Sequence, residues 1–199
     1  MTNDLATLIG SRICHDLISP IGAINNGVEL MALTGGGGSA EMALIGDSAQ
    51  NASARIRFFR VAFGAAPPGQ RFARREVMSV LSDIALGGRI AYQWDVIDDC
   101  SRGDVRNCFL IMMCFETAMI HGGDITVQRS GDGWVLTAQA DRLRLDADLW
   151  DGLTARHHPV VTSPAQVQFA LLPQVMRETG CRMQIDRTET AITVRFAPD

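Results

Sequence analysis

The sequence predicts an α+β protein: an N-terminal helical hairpin, residues 1–66, followed by an α/β sandwich, residues 67–199. Two observations lead to this division. Two long segments with helical apolar periodicity flank four consecutive glycines at 35–38, and the stretch GAAPPGQ at 64–70 then ends the pattern. Beyond that stretch, short helical patterns alternate with strand patterns, which is typical of a sheet covered on one face by helices.

The first half is predicted to form two helices within residues 3–63, joined by TGGGGS at 34–39. Four glycines in a row do not stay helical, so the chain can reverse there. The second helix carries one apolar stripe at the helical period, and its members are Ile45, Ala49, Ala52, Ile56, Phe59 and Phe63. Two helices alone bury too little surface to be stable. We therefore expect a second copy to complete a dimeric four-helix bundle.

The second half is predicted to combine three helices with antiparallel strands in one sheet. The turn at Asp132-Gly133 is a strong hairpin signal between two alternating apolar segments. The predicted helices cover about 74–86, 104–121 and 164–179, and the predicted strands cover 89–96, the hairpin 124–140, 182–186 and 191–196.

Composition excludes several functions. The net charge is −4 and the chain has one tyrosine, so it lacks the basic, aromatic-rich surface that is typical of nucleic-acid binding. The longest apolar run, 108–115, is far shorter than the roughly 20 residues of a membrane helix, and no signal segment opens the chain. We expect a soluble cytoplasmic protein. The five cysteines form no C-x-x-C pair and are expected to be free thiols.

The segment RICHDLISPIG at 12–22 contains a histidine followed by an acid. At about 100° per residue, the apolar side chains of this helix lie opposite His15, so we expect the imidazole to face outward. These apolar residues are Ile9, Ile13, Leu17, Pro20, Ile21, Ile24, Val28 and Met31. The residues one turn away, Ser11, Ser19 and Gly22, are small and leave the histidine accessible to a large partner. The alternative is a surface histidine without a function.

Pro20 is unusual in a helix interior, where proline costs about 3 kcal/mol or more. It has no N–H, so the carbonyl of Asp16 loses its partner within the helix. We expect the helix to bend one turn after His15 and to tilt that turn outward. The alternative is that Pro20 serves only packing on the buried side.

HDLISP at 15–20 resembles the phosphoacceptor motif of histidine-kinase dimerisation domains. The longer segments RICHDLISPIGAINNGVELM at 12–31 and ASARIRFFRVAFGAAP at 52–67 resemble the two bundle helices of the ChpT family of histidine phosphotransferases. The resemblance covers nearly the whole chain, and its first motif is the more specific part. It implies a dimeric hairpin followed by a degenerate version of the kinase ATP-binding domain.

Features of a working nucleotide site are missing from the second half. In a kinase, two asparagines four residues apart precede GG-x-I-T-V and hold Mg²⁺ against the ATP phosphates. GGDITV at 122–127 matches this anchor, but Leu110 and Cys114 stand where the asparagines are expected, and neither offers the oxygen ligands of a hard cation. No D-x-G-x-G follows, and no glycine-rich lid precedes the helix at 164–179. We expect no ATP, cofactor or metal in this chain.

The resemblance implies a phosphotransferase that relays phosphoryl groups in a multi-step phosphorelay. Its partners would be receiver domains, of a hybrid histidine kinase and of response regulators. Exchange between aspartyl and histidyl phosphates is an in-line displacement that needs position and charge neutralisation, with Mg²⁺ expected in the acidic pocket of the partner. The resemblance gives His15 and Asp16 the catalytic roles, with Asp16 accepting a hydrogen bond from the imidazole. Helical geometry alone does not show this contact, because neighbours in sequence face different directions.

The predicted docking surface surrounds His15. The antiparallel hairpin places the region of Arg55 beside it, and Arg55 or Arg60 is a candidate for meeting an acidic rim. Arg142 and Arg144, at the end of a predicted strand, would add a second contact, although charged runs are more often solvated faces. The candidate partner-binding residues are Ser11, Arg12, Ile18, Ser19, Gly22, Arg55, Phe59, Arg142 and Arg144.

Two other functions compete with this hypothesis. One is a non-catalytic dimeric interaction module with a vestigial site. The other is an autophosphorylating histidine kinase, which the missing nucleotide motifs disfavour.

Overall fold

The computed structural model describes residues 5–34, 39–155, 161 and 163–198. The N-terminal hairpin consists of α1 (Leu5–Thr34) and α2 (Ser39–Ala62), which pack along each other as the sequence predicts. The predicted turn at 35–38 lies outside the described residues. α1 continues as a helix through Pro20. The two helices approach closely at Gly27, where an added Cβ would lie 2.6 Å from Cγ1 of Ile45.

The second half contains all the predicted helices and strands, together with some short elements that the sequence patterns did not reveal. The unpredicted elements are β1 (Arg71–Phe72), β3 (Cys100–Ser101) and α5 (Ala147–Gly152), and the helix predicted over 164–179 begins as a 3-10 turn (Pro164–Gln166). The predicted elements are α3 (Arg74–Ala85), β2 (Ile90–Trp94), α4 (Arg102–Ala118), β4 (Gly123–Ser130), β5 (Gly133–Gln139), α6 (Val167–Glu178), β6 (Cys181–Arg187) and β7 (Ala191–Pro198).

Five strands form one sheet in the order β2-β4-β5-β7-β6, and β1 pairs with β3 separately. The β4–β5 hairpin is present, but its turn residues are Gly131 and Asp132, one position before the predicted Asp132-Gly133, because Ser130 pairs with Gly133 and Gly131 adopts a positive φ of 59°. The expectation of antiparallel strands is wrong for one pair, because β2 and β4 run parallel. They are joined by a crossover through α4, and such a connection makes parallel pairing possible. The α+β class is confirmed.

Two glycines at the start of β4 close this crossover. Gly122 and Gly123 have φ angles of 95° and 139°. A Cβ at Gly122 would lie 2.1 Å from the carbonyl oxygen of Arg89, and one at Gly123 would lie 2.2 Å from that of Gln139. Only glycine fits both the backbone angle and the space. This explains the GG of the GGDITV segment in structural terms.

The hairpin packs on the second half of its own chain, which the sequence did not predict. Phe58, Phe59 and Ala62 of α2 belong to the same buried cluster as the core beneath the sheet. Two arginines of α4 also donate to carbonyls at the end of α2: Arg102 Nη2 to Arg60 O at 2.8 Å, and Arg106 Nε to Ala62 O at 3.4 Å. A second copy is therefore not the only surface that the hairpin contacts.

Over the described residues, no helix has both the length and the apolar character that a membrane crossing requires.

Candidate functional site

The imidazole of His15 projects outward from α1, as the helical period predicts. Its side chain is 79% exposed. Ser11 and Ser19 are exposed around it, and Ile18 is exposed to 70%. At Gly22, an added Cβ would find no atom of the described residues within 4 Å. The surface around His15 is open enough for a macromolecular partner to approach.

His15 and Asp16 are in contact although they are neighbours in sequence. His15 Nδ1 lies 3.1 Å from Asp16 Oδ1. An ionised carboxylate only accepts hydrogen bonds, so Nδ1 is the nitrogen that carries the proton and donates. The neutral ring then has its lone pair on Nε2, which has no hydrogen-bond partner among the described residues. The contact that the resemblance implied is present in the structure.

The second oxygen of Asp16 is neutralised by two arginines. Arg12 Nε lies 3.0 Å from Asp16 Oδ2, and Arg55 Nη1 lies 3.4 Å from the same atom. The side chain of Asp16 is only 11% exposed, so these contacts are shielded from water more than a surface ion pair would be. Arg12 comes from one turn earlier on α1, whereas Arg55 comes from α2. In the folded hairpin, one oxygen of the Asp16 carboxylate thus contacts the histidine, and the other oxygen contacts two guanidinium groups.

Arg12 has a different place from the one predicted. Its side chain is 13% exposed, and its Nη1 donates to the carbonyl oxygen of Ala165 at 2.6 Å. Its guanidinium therefore bridges Asp16 to the 3-10 turn of the second half. Helical periodicity on α1 does not predict this contact, because it joins residues that are 153 positions apart in the chain.

The prediction that Phe59 contacts a partner is wrong. Phe59 is 5% exposed, and its ring stacks on that of Phe63 with centroids 5.4 Å apart. It belongs to the apolar stripe of α2, and the C-terminal end of that stripe, at Phe59 and Phe63, packs against the second half of the chain, whereas Ile56 stays 51% exposed. Arg60, the next residue, is exposed but lies one turn beyond Ile56.

A cavity of about 420 Å³ lies beside Asp16, between the hairpin and the second half. Glu116 of α4 lines it, and its Oε1 accepts a hydrogen bond of 2.7 Å from the hydroxyl of Tyr92 on β2. Burial raises the pKa of Glu116, while Tyr92, Arg55 and Arg12 lower it and Asp16 raises it further. The other residues lining the cavity are Arg12, Asp16, Ser19, Pro20, Asn51, Arg55, Thr117 and Ala165.

Sequence reasoning missed Glu116 and Tyr92. A signal was nevertheless present, because Glu116 is the only acid between 105 and 121 and directly follows the apolar run at 108–115. An acid in such a position seldom becomes buried without a partner. Tyr92 is the only tyrosine of the chain and supplies that partner. Their meeting depends on the β2-α4-β4 crossover, which the sequence patterns did not reveal.

The structure separates the two arginines of the DRLRLD segment. Arg144 is exposed and lines a second cavity, of about 400 Å³, with Thr117 and Trp150. Thr117 also lines the cavity beside Asp16, so the two cavities are neighbours. Arg142 is exposed at a different depression, together with Arg187. Contact of either arginine with a partner stays a prediction.

Leu110 and Cys114, which stand at the positions expected for magnesium-binding asparagines, are both buried. Leu110 is 0% and Cys114 is 1% exposed. Burial raises the pKa of the Cys114 thiol well above its usual value, so this group stays protonated and apolar. Both side chains of α4 are packed in the hydrophobic core of the second half. The five cysteines of the chain are free, as expected.

An exposed histidine on a helical hairpin, with its ring fixed by a carboxylate and an α/β sandwich packed beneath it, defines a protein of the histidine phosphotransfer class. Residues 74–191 match a family model described as the histidine phosphotransferase C-terminal domain. The chain is also 33% identical over 194 residues to the protein phosphotransferase ChpT of Brucella abortus (strain 2308). The match covers 93% of this chain and 91% of that protein.

A solved structure agrees with this match. A bacterial phosphotransferase solved at 1.7 Å superposes with a TM-score of 0.79 and 29% identity, over 98% of this chain and 97% of that one. The chain therefore belongs to the ChpT family of histidine phosphotransferases. It is a protein phosphotransferase of phosphorelay signalling.

Proposed function

We propose that His15 is the residue that carries the phosphoryl group, and that it exchanges this group with aspartates of receiver domains without using ATP. The observation that carries the proposal is the exposed imidazole whose Nδ1 donates to Asp16 while Nε2 faces solvent. That arrangement supplies an accessible nucleophilic nitrogen on a ring whose tautomer is fixed by Asp16.

In the proposed step, the Nε2 lone pair attacks phosphorus of an aspartyl phosphate in the partner. The N–P bond forms as the bond from phosphorus to the aspartate oxygen breaks, and the carboxylate leaves with the electron pair. The ring becomes cationic as this happens, and Asp16 stabilises it through the Nδ1 hydrogen bond. The reverse step passes the group to a second receiver. Mg²⁺ would be supplied by the acidic pocket of the partner.

Asp16 itself needs compensation for its burial. Arg12 and Arg55 neutralise its second oxygen, so that its position does not depend on the histidine alone. A carboxylate held in this way acts on the imidazole without reorganising during transfer. We assign Asp16 as the catalytic partner of His15, and Arg12 and Arg55 as the residues that position it.

The proposed absence of ATP chemistry is supported by the core position of Leu110 and Cys114. Both side chains are surrounded by other apolar residues of the sandwich, and a phosphate-bound magnesium ion requires oxygen ligands at such positions. The second half then serves as a scaffold that supports the hairpin and extends the surface beside His15.

The proposed receiver surface consists of His15 and its exposed neighbours on α1, namely Ser11, Ile18, Ser19 and Gly22. An exposed isoleucine beside small residues offers an apolar contact without obstructing the imidazole. Arg55, which is 36% exposed, borders this surface, and Arg144 extends it along the second half. The acidic pocket of a receiver domain complements these two cations.

We further propose a homodimer formed through the hairpin. In one chain, Ile21, Val28, Met42 and Ile56 are each about half exposed. Ile21 and Val28 lie seven residues apart on α1, and both belong to the apolar stripe opposite His15. Burying a large aliphatic side chain stabilises by about 1.5–3 kcal/mol, so a bundle that covers several of them is tight. The two His15 side chains would then lie on the outside.

The test is a phosphoryl-transfer assay with purified full-length protein. Label from radioactive ATP alone would indicate a kinase, and label only after adding a phosphorylated receiver domain is the expected result. No label in either case would indicate a non-catalytic interaction module and overturn the proposal.

The matched variants are His15→Gln and His121→Gln. His121 is an exposed histidine of the second half. We expect His15→Gln to lose all acceptance while its oligomeric state and circular dichroism stay unchanged, and His121→Gln to accept normally. Label on the His15→Gln protein would contradict the assignment of His15.

A further inference from the structure

The cavity beside Asp16 contains two carboxyl groups and two guanidinium groups. Asp16, Arg12 and Arg55 come from the hairpin, and Glu116 comes from the second half. Asp16 makes direct contacts with His15 and both arginines, as described above. Glu116 lies across the cavity and is held by a different group, the hydroxyl of Tyr92 at 2.7 Å. The phosphotransfer mechanism described so far does not use it.

The position of Glu116 is fixed by the fold beneath it. It lies on α4, in the same helix as the buried Leu110 and Cys114. Its partner Tyr92 lies in the middle of β2, opposite Ile125 of β4 in the parallel pair. Burial, followed by the charge of Glu116, raises the pKa of Tyr92, so its hydroxyl keeps the proton that it donates. Glu116 is therefore an acceptor anchored to the sheet.

Arg55 is the least constrained member of the cluster. Arg12 makes the shorter contact with Asp16, 3.0 Å against 3.4 Å, and also donates to Ala165 O. The side chain of Arg55 is 36% exposed, against 13% for Arg12. A long cation on a flexible stem has several solvated rotamers within reach, and ordering it costs side-chain entropy. The groups that can favour the rotamer reaching Asp16 are the two carboxyl groups of the cavity, Asp16 itself and Glu116.

We infer that Glu116, anchored by Tyr92, is a positioning residue that keeps Arg55 in the cavity against Asp16. The inference rests on the proposed function, because it assigns a role at the same site. Glu116 attracts the guanidinium from the side opposite the solvent. The rotamer of Arg55 that points into the cavity is therefore stabilised relative to the rotamers that point outward. Arg55 then keeps its ion pair with Asp16 Oδ2, and Asp16 Oδ1 keeps its hydrogen bond with His15 Nδ1.

This role matters most when phosphate arrives. A phosphoryl group adds close to two negative charges beside the imidazole, and an exposed arginine would tend to leave Asp16 for it. An anchored carboxyl group behind Arg55 opposes that movement. The second half would thereby contribute to the chemistry of a histidine that it does not itself contact.

The first measurement is ¹⁵N NMR of the His15 imidazole in the free protein, which reports the tautomer directly. We expect the form protonated at Nδ1 to dominate in the wild type. In Glu116→Gln and in Tyr92→Phe we expect its share relative to the other tautomer to fall at least twofold. Glu178→Gln is the matched control, because Glu178 also accepts a side-chain hydrogen bond, from Gln174, but lies at the far end of α6. An unchanged tautomer ratio in both test variants would overturn the inference.

The second measurement is single-turnover transfer from a phosphorylated receiver domain. We expect Glu116→Gln to lower the rate at saturating receiver by about three- to tenfold while the half-saturating concentration stays unchanged. Gln keeps the size of Glu and its hydrogen bond with Tyr92, so the fold should persist, and near-ultraviolet circular dichroism checks this.

A double-mutant cycle with Arg55→Ala then tests the pathway. If Glu116 acts through Arg55, Glu116→Gln has almost no further effect on transfer in the Arg55→Ala background. Additive effects would overturn the inference. The NMR result needs neither receiver nor phosphate, so a wild-type protein that accepts no phosphate, and thus fails the proposed function, can still show the tautomer effect.

Discussion

The two ends of this molecule bury their apolar residues to very different extents. In the second half, Phe109, Leu110 and Leu136 are 0% exposed. In the part of the hairpin far from that core, Val28 is 53%, Met42 54% and Leu33 84% exposed. Both regions have ordinary apolar content, so composition does not explain the contrast. The sandwich closes its core within one chain, and the distal hairpin does not.

The contrast indicates how the two regions share the work of the protein. His15 lies between them, near the base of the hairpin, where α1 and α2 are packed on the second half. Its surroundings are thus fixed from one side by a complete core. On the other side the hairpin presents an apolar face that we propose a second copy covers. Each prediction below disturbs one region and uses the other as its reference.

The largest effect is expected from Gly123→Ala in the sandwich. The substitution would place a Cβ 2.2 Å from the carbonyl oxygen of Gln139 at a φ of 139°. Steric strain and displacement of β5 should together destabilise the full-length protein by about 3 kcal/mol or more. Urea unfolding measures the loss.

Gly131→Ala is the control for this substitution. Gly131 has a φ of 59°, but its added Cβ would meet no atom of the described chain within 4 Å. Gly131→Ala should lower the free energy of unfolding by about 1–2 kcal/mol, which is the cost of placing alanine in a left-handed backbone conformation. Similar losses in the two variants would show that the crossover at Gly123 is not as tightly closed as the structure indicates.

The next effect is expected from Val28→Asp in the distal hairpin. In the proposed dimer this change buries an unpaired charge, which costs about 3 kcal/mol or more, so the dimer dissociation constant should rise by roughly 100-fold. Sedimentation velocity over a concentration series measures it. Ile97→Asp is the matched control, since Ile97 is 86% exposed in the second half. A monomeric wild type would refute the dimer, and equal shifts for both variants would refute its formation through the hairpin.

The same contrast explains which features the sequence could predict. The outward direction of His15 follows from the helical period, which is a local property, and the structure agrees. The apolar stripe of α2 is also evident, but a stripe predicts burial without identifying the surface that covers it. The hairpin geometry places Phe59 near His15 and so predicts a partner contact, whereas the ring packs against the second half of the chain. The parallel pairing of β2 with β4, and the meeting of Glu116 with Tyr92, join residues that are distant in sequence. Periodicity carries no information about such contacts.

A smaller effect is expected in the pH dependence of stability. Burial raises the pKa of Glu116 in the folded protein above the ordinary 4.5, so the folded state binds its proton more tightly than the unfolded state. The stability due to this group is therefore fully present below pH 4.5 and is lost as the pH rises through the folded pKa. Glu116→Gln removes the titration, so wild type should lose stability relative to the variant on going from pH 4 to pH 8.

Urea unfolding of both proteins across that pH range measures the difference in the free energy of unfolding. A wild type whose stability rises relative to that of the variant as the pH rises would contradict the prediction. The expected sign means that ionisation of Glu116 lowers the stability of the folded protein as the pH rises. Functional sites often carry such a cost. The sandwich core does not need a carboxyl group at this position, whereas the proposed role beside Arg55 does.

The smallest effect is expected from Gly22→Ala, which separates helix stability from docking. Gly22 lies inside α1 with open space around it, so alanine should stabilise the helix by about 0.5–1 kcal/mol. The added methyl group also projects from the surface proposed to meet the receiver. The receiver concentration at half saturation should therefore rise a few-fold while the rate at saturation is unchanged. Gly46→Ala on α2 has equally open space. It should give the same stabilisation without the change in half saturation, and equal kinetics for the two variants would remove Gly22 from the docking surface.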